Sequence, residues 1–113
     1  MRKIEHQMCQ AVQHNKNWTS GNTSVITEDK VSKVYLHGNH IATIDEDTMT
    51  IYDGGWQSNT TKSRLNALCD SFCVPGEGVF QSDFVWYVRL FVGALNGQKV
   101  FKTIEFENGY TFA

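Results

Sequence analysis

Residues 31–52 read VSKVYLHGNHIATIDEDTMTIY, and the strand-like runs in this stretch decide the fold class. Val31–His37 and His40–Asp45 are rich in β-branched and aromatic residues. They are separated by Gly38-Asn39, a two-residue turn whose first residue suits the positive φ of a type II′ hairpin. After an acidic turn, residues 48–52 form another run. The stretch therefore predicts an antiparallel meander.

The Gly38-Asn39 turn also predicts the register of the first hairpin. Leu36 is expected opposite Ile41 on one side of the sheet, and His37 opposite His40 on the other. Because side chains alternate between the two faces of a strand, this register assigns every residue of the hairpin to a face.

Two amphipathic helices are predicted on either side of the meander. The first covers about residues 3–14, where apolar residues recur at helical spacing. The second begins at Asn59, Thr60 or Thr61, any of which can cap it. Its core stripe has the spacing i, i+3, i+4, i+7 and consists of Leu65, Leu68, Cys69 and Phe72.

Further strands complete the predicted fold. A polar connection over residues 15–22 leads to a β-branched strand at Thr23–Thr27. Three strands are expected after the second helix, turned by Asn-Gly pairs: Val79–Val92, Lys99–Glu107 and Tyr110–Phe112. The sequence therefore predicts an α+β fold, an antiparallel sheet (meander plus C-terminal hairpin) with two helices packed on one face.

Composition limits the classes of protein to which the chain can belong. The 113 residues suit a single domain, 1–113, with 41% hydrophobic residues and a net charge of −2, so any nucleic-acid site must be a local patch. No segment has the length and apolarity of a signal peptide or membrane span, which predicts a cytosolic protein without a membrane partner. Three cysteines cannot pair completely and are expected to be reduced thiols.

The start of the second helix holds the candidate binding residues. Thr60, Thr61, Lys62 and Arg64 place hydroxyls and cations where the helix dipole and free N–H groups favour an anion, and Trp56 offers an indole for base stacking. Another interpretation is an ordinary threonine cap with solvated cations, and a Trp56 that folds back under the helix as a hydrophobic staple.

Evidence for a metal site or an active site is weaker. His37 and His40, with Asp53 or Asp45, have the chemistry of metal ligands, but they lack a close third ligand in sequence. No nucleophile motif, phosphate-binding loop or dinucleotide fingerprint is present. The sequence therefore predicts no enzyme, no cofactor and no metal.

Several segments together resemble a family of small uncharacterised proteins of tailed bacteriophages, including those of marine bacteria and cyanobacteria. They are residues 34–42 (VYLHGNHIA), 54–56 (GGW), 60–66 (TTKSRLN) and 76–81 (GEGVFQ). The resemblance implies a phage protein that acts in the cytoplasm of the infected host bacterium. It implies no particular activity.

The predicted element order is also similar to that of double-stranded RNA-binding domains, although the lysine-rich helix start of those domains is missing. The leading hypothesis is a noncatalytic phage accessory protein that binds nucleic acid or a nucleic-acid-associated host protein. The alternative is a protein-interaction module, a homodimer or host-protein inhibitor, that uses Phe84–Phe91 or Tyr110–Phe112. A third hypothesis is a small metal-dependent enzyme centred on His37 and His40.

Overall fold

The computed structural model describes residues 1–113 and has two helices and nine strands. The helices are α1 (Lys3–Gln13) and α2 (Asn59–Phe72). The strands are β1 (Trp18–Ser20), β2 (Thr23–Glu28), β3 (Val31–Leu36), β4 (Asn39–Ile44), β5 (Met49–Ile51), β6 (Gly78–Ser82), β7 (Val85–Leu95), β8 (Gln98–Glu105) and β9 (Tyr110–Phe112). The predicted α+β class, both helices, the meander and the C-terminal hairpin are confirmed.

The strands form two antiparallel sheets. The main sheet has the order β1-β2-β3-β4-β5-β9, and a second sheet has the order β6-β7-β8. The tail does not fold back on β8 as a simple hairpin would. Gly109 N–H donates to the Ile51 carbonyl, and the Asn108 side chain accepts from Asp53 N–H, so β9 is held beside β5. The β7-β8 hairpin is therefore followed along the chain by a strand, β9, that belongs to the main sheet.

The hydrophobic core lies between the two helices and the main sheet, and it extends to the second sheet. Helix α1 packs on α2 and β2, while α2 also packs on β4 and β6. Of the predicted α2 stripe, Leu65, Leu68 and Cys69 are fully buried and Phe72 packs at the margin. In β3, Val34 is buried while its neighbours in sequence point away from the core, as the period of a strand requires.

The predicted register of the first hairpin is wrong. The turn residues are His37 and Gly38, which have φ of 52° and 76°, so Leu36 pairs with Asn39. Two consecutive positive φ values define a type I′ turn, whose twist matches that of the flanking strands. A β-bulge after Val34 then shifts the pairing again.

The predicted long strand Val79–Val92 is two strands joined by a tight turn. Asp83 and Phe84 have φ of 49° and 64°, and the Phe84 side chain is 92% exposed. A bulky residue at positive φ is rare. The aromatic run therefore predicted a continuous strand, and the turn at Asp83 and Phe84 was missed. The polar connection also contains a short strand that was not predicted, β1, which pairs with β2.

Candidate binding site at the second helix

The cap of α2 is Ser58, one residue before the predicted candidates Asn59, Thr60 and Thr61. The Ser58 hydroxyl accepts a hydrogen bond from Thr61 N–H at 3.1 Å and contacts the Thr61 hydroxyl at 2.9 Å. Thr61 itself is buried, and Thr60 is half-buried. One N–H group at the helix start is therefore already paired within the protein, and the Thr61 hydroxyl faces inward.

Arg64 is not a surface cation. Its Nη1 donates to Glu5 Oε2 at 2.8 Å, its Nε donates to Thr23 Oγ1 at 3.0 Å, and its Nη2 donates to Asn22 Oδ1 at 3.3 Å. Both members of the Arg64–Glu5 ion pair are buried. The predicted ligand contact at Arg64 is therefore not available in this structure, because the guanidinium joins α2 to α1 and to the start of β2.

Glu5 is held as a carboxylate by its surroundings. Burial raises the pKa of this side chain, but hydrogen bonds from Ser63, from Arg64 and from Arg2 N–H outweigh burial, so the net pKa lies below its usual range. Glu5 also accepts from the backbone at the first turn of α1, where a negative charge is favoured by the helix dipole. The carboxylate therefore has both a counter-charge and a structural role.

Lys62 points toward the second sheet. Its Nζ donates to Gln81 Oε1 at 3.1 Å and lies 5.9 Å from the centre of the Trp86 ring. The side chain is half-buried, so part of its length covers the edge of β6 while the ammonium group stays accessible. Lys62 therefore connects α2 to the second sheet at a position where its end group is accessible to solvent.

Trp56 is exposed, with 75% of its surface accessible. The preceding turn holds it outward: Asp53 Oδ1 accepts from Gly55 N–H at 2.8 Å, and Trp56 N–H donates to the Asp53 carbonyl at 3.3 Å. Gly54 has a φ of 70°, and a Cβ there would lie 3.1 Å from Ile41 Cγ2, so this position requires glycine. The structure does not place Trp56 under the helix as a staple.

The five predicted site residues are therefore distributed over surface and core. Trp56 is exposed, Thr60 and Lys62 are half-buried, and Thr61 and Arg64 are buried. The hydroxyls and cations at the start of α2 are therefore not all accessible to a ligand. A ligand role remains a prediction for Trp56 and Lys62.

The two histidines are not brought together as metal ligands. His37 is exposed in the turn, whereas His40 Nε2 is within hydrogen-bond distance of the Ala42 carbonyl at 2.9 Å and of Thr43 Oγ1 at 2.7 Å. Burial lowers the pKa of His40 more than the Ala42 contact raises it, which favours the neutral imidazole. No group of three or more His, Cys, Asp or Glu residues is arranged to hold a metal ion.

A surface that the sequence did not single out lies on β7 and β8. We call residues 89–105 of the long β7-β8 hairpin the ribbon. None of these residues is buried. Val92, Leu95 and Val100 are 54%, 67% and 39% exposed. The prediction had pointed to Phe84–Phe91, which overlaps only the first three residues of the ribbon, and to Tyr110–Phe112. The missed signal is the apolar run Leu90–Leu95 before the Asn96-Gly97 turn, where a single covered face would require alternation.

The base of the ribbon is rigidly attached. Arg89 lies 4.2 Å from the centre of the Phe101 ring, and the Phe91 and Phe101 rings meet edge to face at 6.0 Å. Glu77 Oε2 accepts from Phe91 N–H at 2.8 Å beside the β-bulge in β7. The exposed apolar residues therefore project from a well-held base.

Residues 1–113 of the chain match the protein family described as "Kyanoviridae Gp96 protein". The chain belongs to this family. The match confirms the predicted relation to proteins of cyanobacterial phages and covers the whole chain. No curated protein and no solved structure is significantly similar to it. Neither helix has both the length and the apolarity needed to cross a membrane.

Proposed function

We propose that this phage protein is a noncatalytic accessory protein that binds another protein through the ribbon, in the cytoplasm of the infected host cell. The observation that carries the proposal is the concentration of exposed apolar side chains on one projecting element. Such a patch, flanked by charged residues, is typical of protein–protein interfaces.

The geometry of the ribbon supports this function. The strand β7 has 11 residues, which corresponds to about 36 Å at the usual rise of a strand. Helix α2 packs on β6, and neither helix makes a comparable contact with β7 or β8. The exposed side chains Val92, Leu95 and Val100 gain little burial within the monomer, whereas a partner would remove them from water.

Site-directed photo-crosslinking in infected cells tests the proposal. A photoreactive residue replaces Leu95 in the ribbon, and a matched control replaces Ile26, an apolar strand residue of the main sheet that is 51% exposed. We expect one discrete protein adduct from position 95 and none from position 26. The absence of an adduct at position 95 from a protein that is also monomeric in solution, or equal labelling at both positions, would overturn the proposal.

The second candidate function is nucleic-acid binding at Trp56 and Lys62. The observation that favours it is the exposed indole on a glycine turn, since an exposed aromatic ring offers any base a stacking face. Arg64→Ala is unsuitable as a test, because it would leave Glu5 buried without its counter-charge.

Anisotropy titration of labelled single-stranded DNA and RNA, at low and moderate salt, tests the second candidate with Trp56→Ala and Lys62→Ala. Binding that weakens with salt and is lost in both variants would support it. Binding that survives both substitutions, or no binding by the wild type at low salt, would exclude this site.

A further inference from the structure

Strand β8 has an open edge. Phe106 N–H donates to the Trp86 carbonyl at 2.9 Å, and Phe91 N–H on β7 points the other way, to Glu77. Because backbone groups alternate in direction along an antiparallel strand, even-numbered residues of β8 bond to β7. The N–H and C=O groups of the odd-numbered residues therefore point outward: those of Lys99, Phe101, Thr103 and Glu105.

The other edges of the two sheets are covered or short. On β6, the Asn66 side chain donates to the Val79 carbonyl at 2.8 Å and accepts from Val79 N–H at 2.7 Å, so α2 closes that edge. The edges of the main sheet, β1 and β9, have three residues each, whereas β8 has eight. Strand β8 is therefore the long edge that a further strand can join.

Two copies of β8 have complementary side chains when they run antiparallel with Lys102 of one copy opposite Lys102 of the other. Lys99 then lies opposite the partner's Glu105, and Glu105 opposite the partner's Lys99. On the other face, Val100 lies opposite the partner's Ile104. Opposite charges and apolar pairs stabilise antiparallel strands, and the like pair at Lys102 sits at an exposed position where long side chains can diverge.

We propose that β8 pairs in antiparallel register with β8 of a second copy of this chain, about a two-fold axis at Lys102. The proposal rests on the proposed function, protein binding by the ribbon, and names a partner for the β8 edge of the ribbon. The pairing joins the two second sheets into a continuous six-stranded sheet, with about eight hydrogen bonds between the outward groups. A register centred on Phe101 would instead oppose Lys99 with Thr103, without any charge pair.

Sedimentation equilibrium over a wide dilution series tests the proposal, with charge-reversal variants as probes of register. The wild type is expected to reach twice its 12.8 kDa mass as concentration rises. Lys99→Glu or Glu105→Lys alone creates two like-charge pairs and should weaken the dimer about tenfold. The double variant, Lys99→Glu with Glu105→Lys, should restore dimerisation.

A proline probe tests the backbone pairing separately from charge. Thr103→Pro removes an outward N–H that the monomer does not use, so circular dichroism should remain that of the folded protein while the dimer is lost. A folded Thr103→Pro variant that still dimerises would overturn the pairing. So would a double charge variant that stays as weak as the single ones.

The outcomes distinguish this inference from the proposed function. A wild type that is monomeric at all concentrations, with a Leu95 adduct to a different protein, would overturn the self-pairing and leave protein binding by the ribbon intact. A monomeric wild type with no adduct would overturn both. A wild type that dimerises, with pairing lost in the single charge variants and restored in the double variant, would support both, because β8 is part of the ribbon.

Discussion

Glu5→Gln is expected to lower the free energy of unfolding by about 3–5 kcal/mol, because it leaves the Arg64 guanidinium buried without a counter-charge. The glutamine side chain keeps the volume of glutamate but offers one acceptor oxygen instead of two. Glu5 accepts hydrogen bonds from Ser63, Arg64 and Arg2 N–H, so an amide NH₂ must face at least one donor. Each lost charge-assisted bond costs about 1.5–3 kcal/mol, so the loss of two would cost about 3–6 kcal/mol, which overlaps this range.

Urea unfolding at about neutral pH, followed by tryptophan fluorescence, to which the buried Trp86 contributes, measures the effect. The melting temperature should fall by roughly 10 °C or more. Glu28→Gln, a change at an exposed glutamate, is the matched control and should alter stability by less than about 0.5 kcal/mol. The combined variant Glu5→Leu with Arg64→Met should recover much of the loss, since an apolar pair has no desolvation penalty.

The dependence on pH gives a further test of the same ion pair. The folded-state pKa of Glu5 lies below its unfolded value, so its contribution to stability is present above the unfolded pKa of about 4.3 and is lost as pH falls through the folded pKa. The difference between wild type and Glu5→Gln should therefore be largest near neutral pH and shrink in acid. A loss below about 1 kcal/mol, or a difference that does not change with pH, would refute the proposed role of the buried pair.

Three other predictions concern the contacts that organise α2. Asn66→Ala should cost about 1–3 kcal/mol of unfolding free energy, because it leaves the Val79 N–H and C=O unpaired, and an unchanged urea midpoint would contradict this. Ser58→Ala should cost about 1 kcal/mol through loss of the cap, and equal destabilisation by the exposed Asn59→Ala would instead assign the cap to Asn59. Cys73 is half-exposed, while the other two cysteines are buried and have raised pKa values. A thiol reagent should therefore label one thiol in the native protein and all three in denaturant. Rapid labelling of more than one thiol in the native protein would contradict the burial.

The fold class could be predicted because its signals are local. The apolar stripe of α2 repeats within four residues, and the Asn96-Gly97 turn depends on two adjacent residues that accept positive φ. At the first hairpin the predicted turn residues and register were wrong, because His37 takes an uncommon positive φ while its N–H donates to the Asn22 carbonyl. A contact between segments thus overrode the preference of a single residue.

The candidate site could be predicted only in part, because its outcome depends on residues far apart in the chain. From the sequence alone, Arg64 and Lys62 are equivalent cations at the helix start. In the structure, Arg64 is buried and forms an ion pair with Glu5, 59 residues away. Trp56 stays exposed because the glycine turn and Asp53 hold it there. Charge and residue type suggest a binding role, but only packing decides which side chains reach solvent.

The sequence by itself determined the two helices, the meander, the single domain and the phage family. The tertiary structure decided the division into two sheets, the burial of the Glu5–Arg64 pair and the uncovered edge of β8. The physical reason is the range of the interactions: backbone propensity and periodicity act over a few residues, whereas an edge is open or closed according to what distant segments cover. Asn66 closes the edge of β6 from 13 residues away, and no equivalent side chain closes the edge of β8.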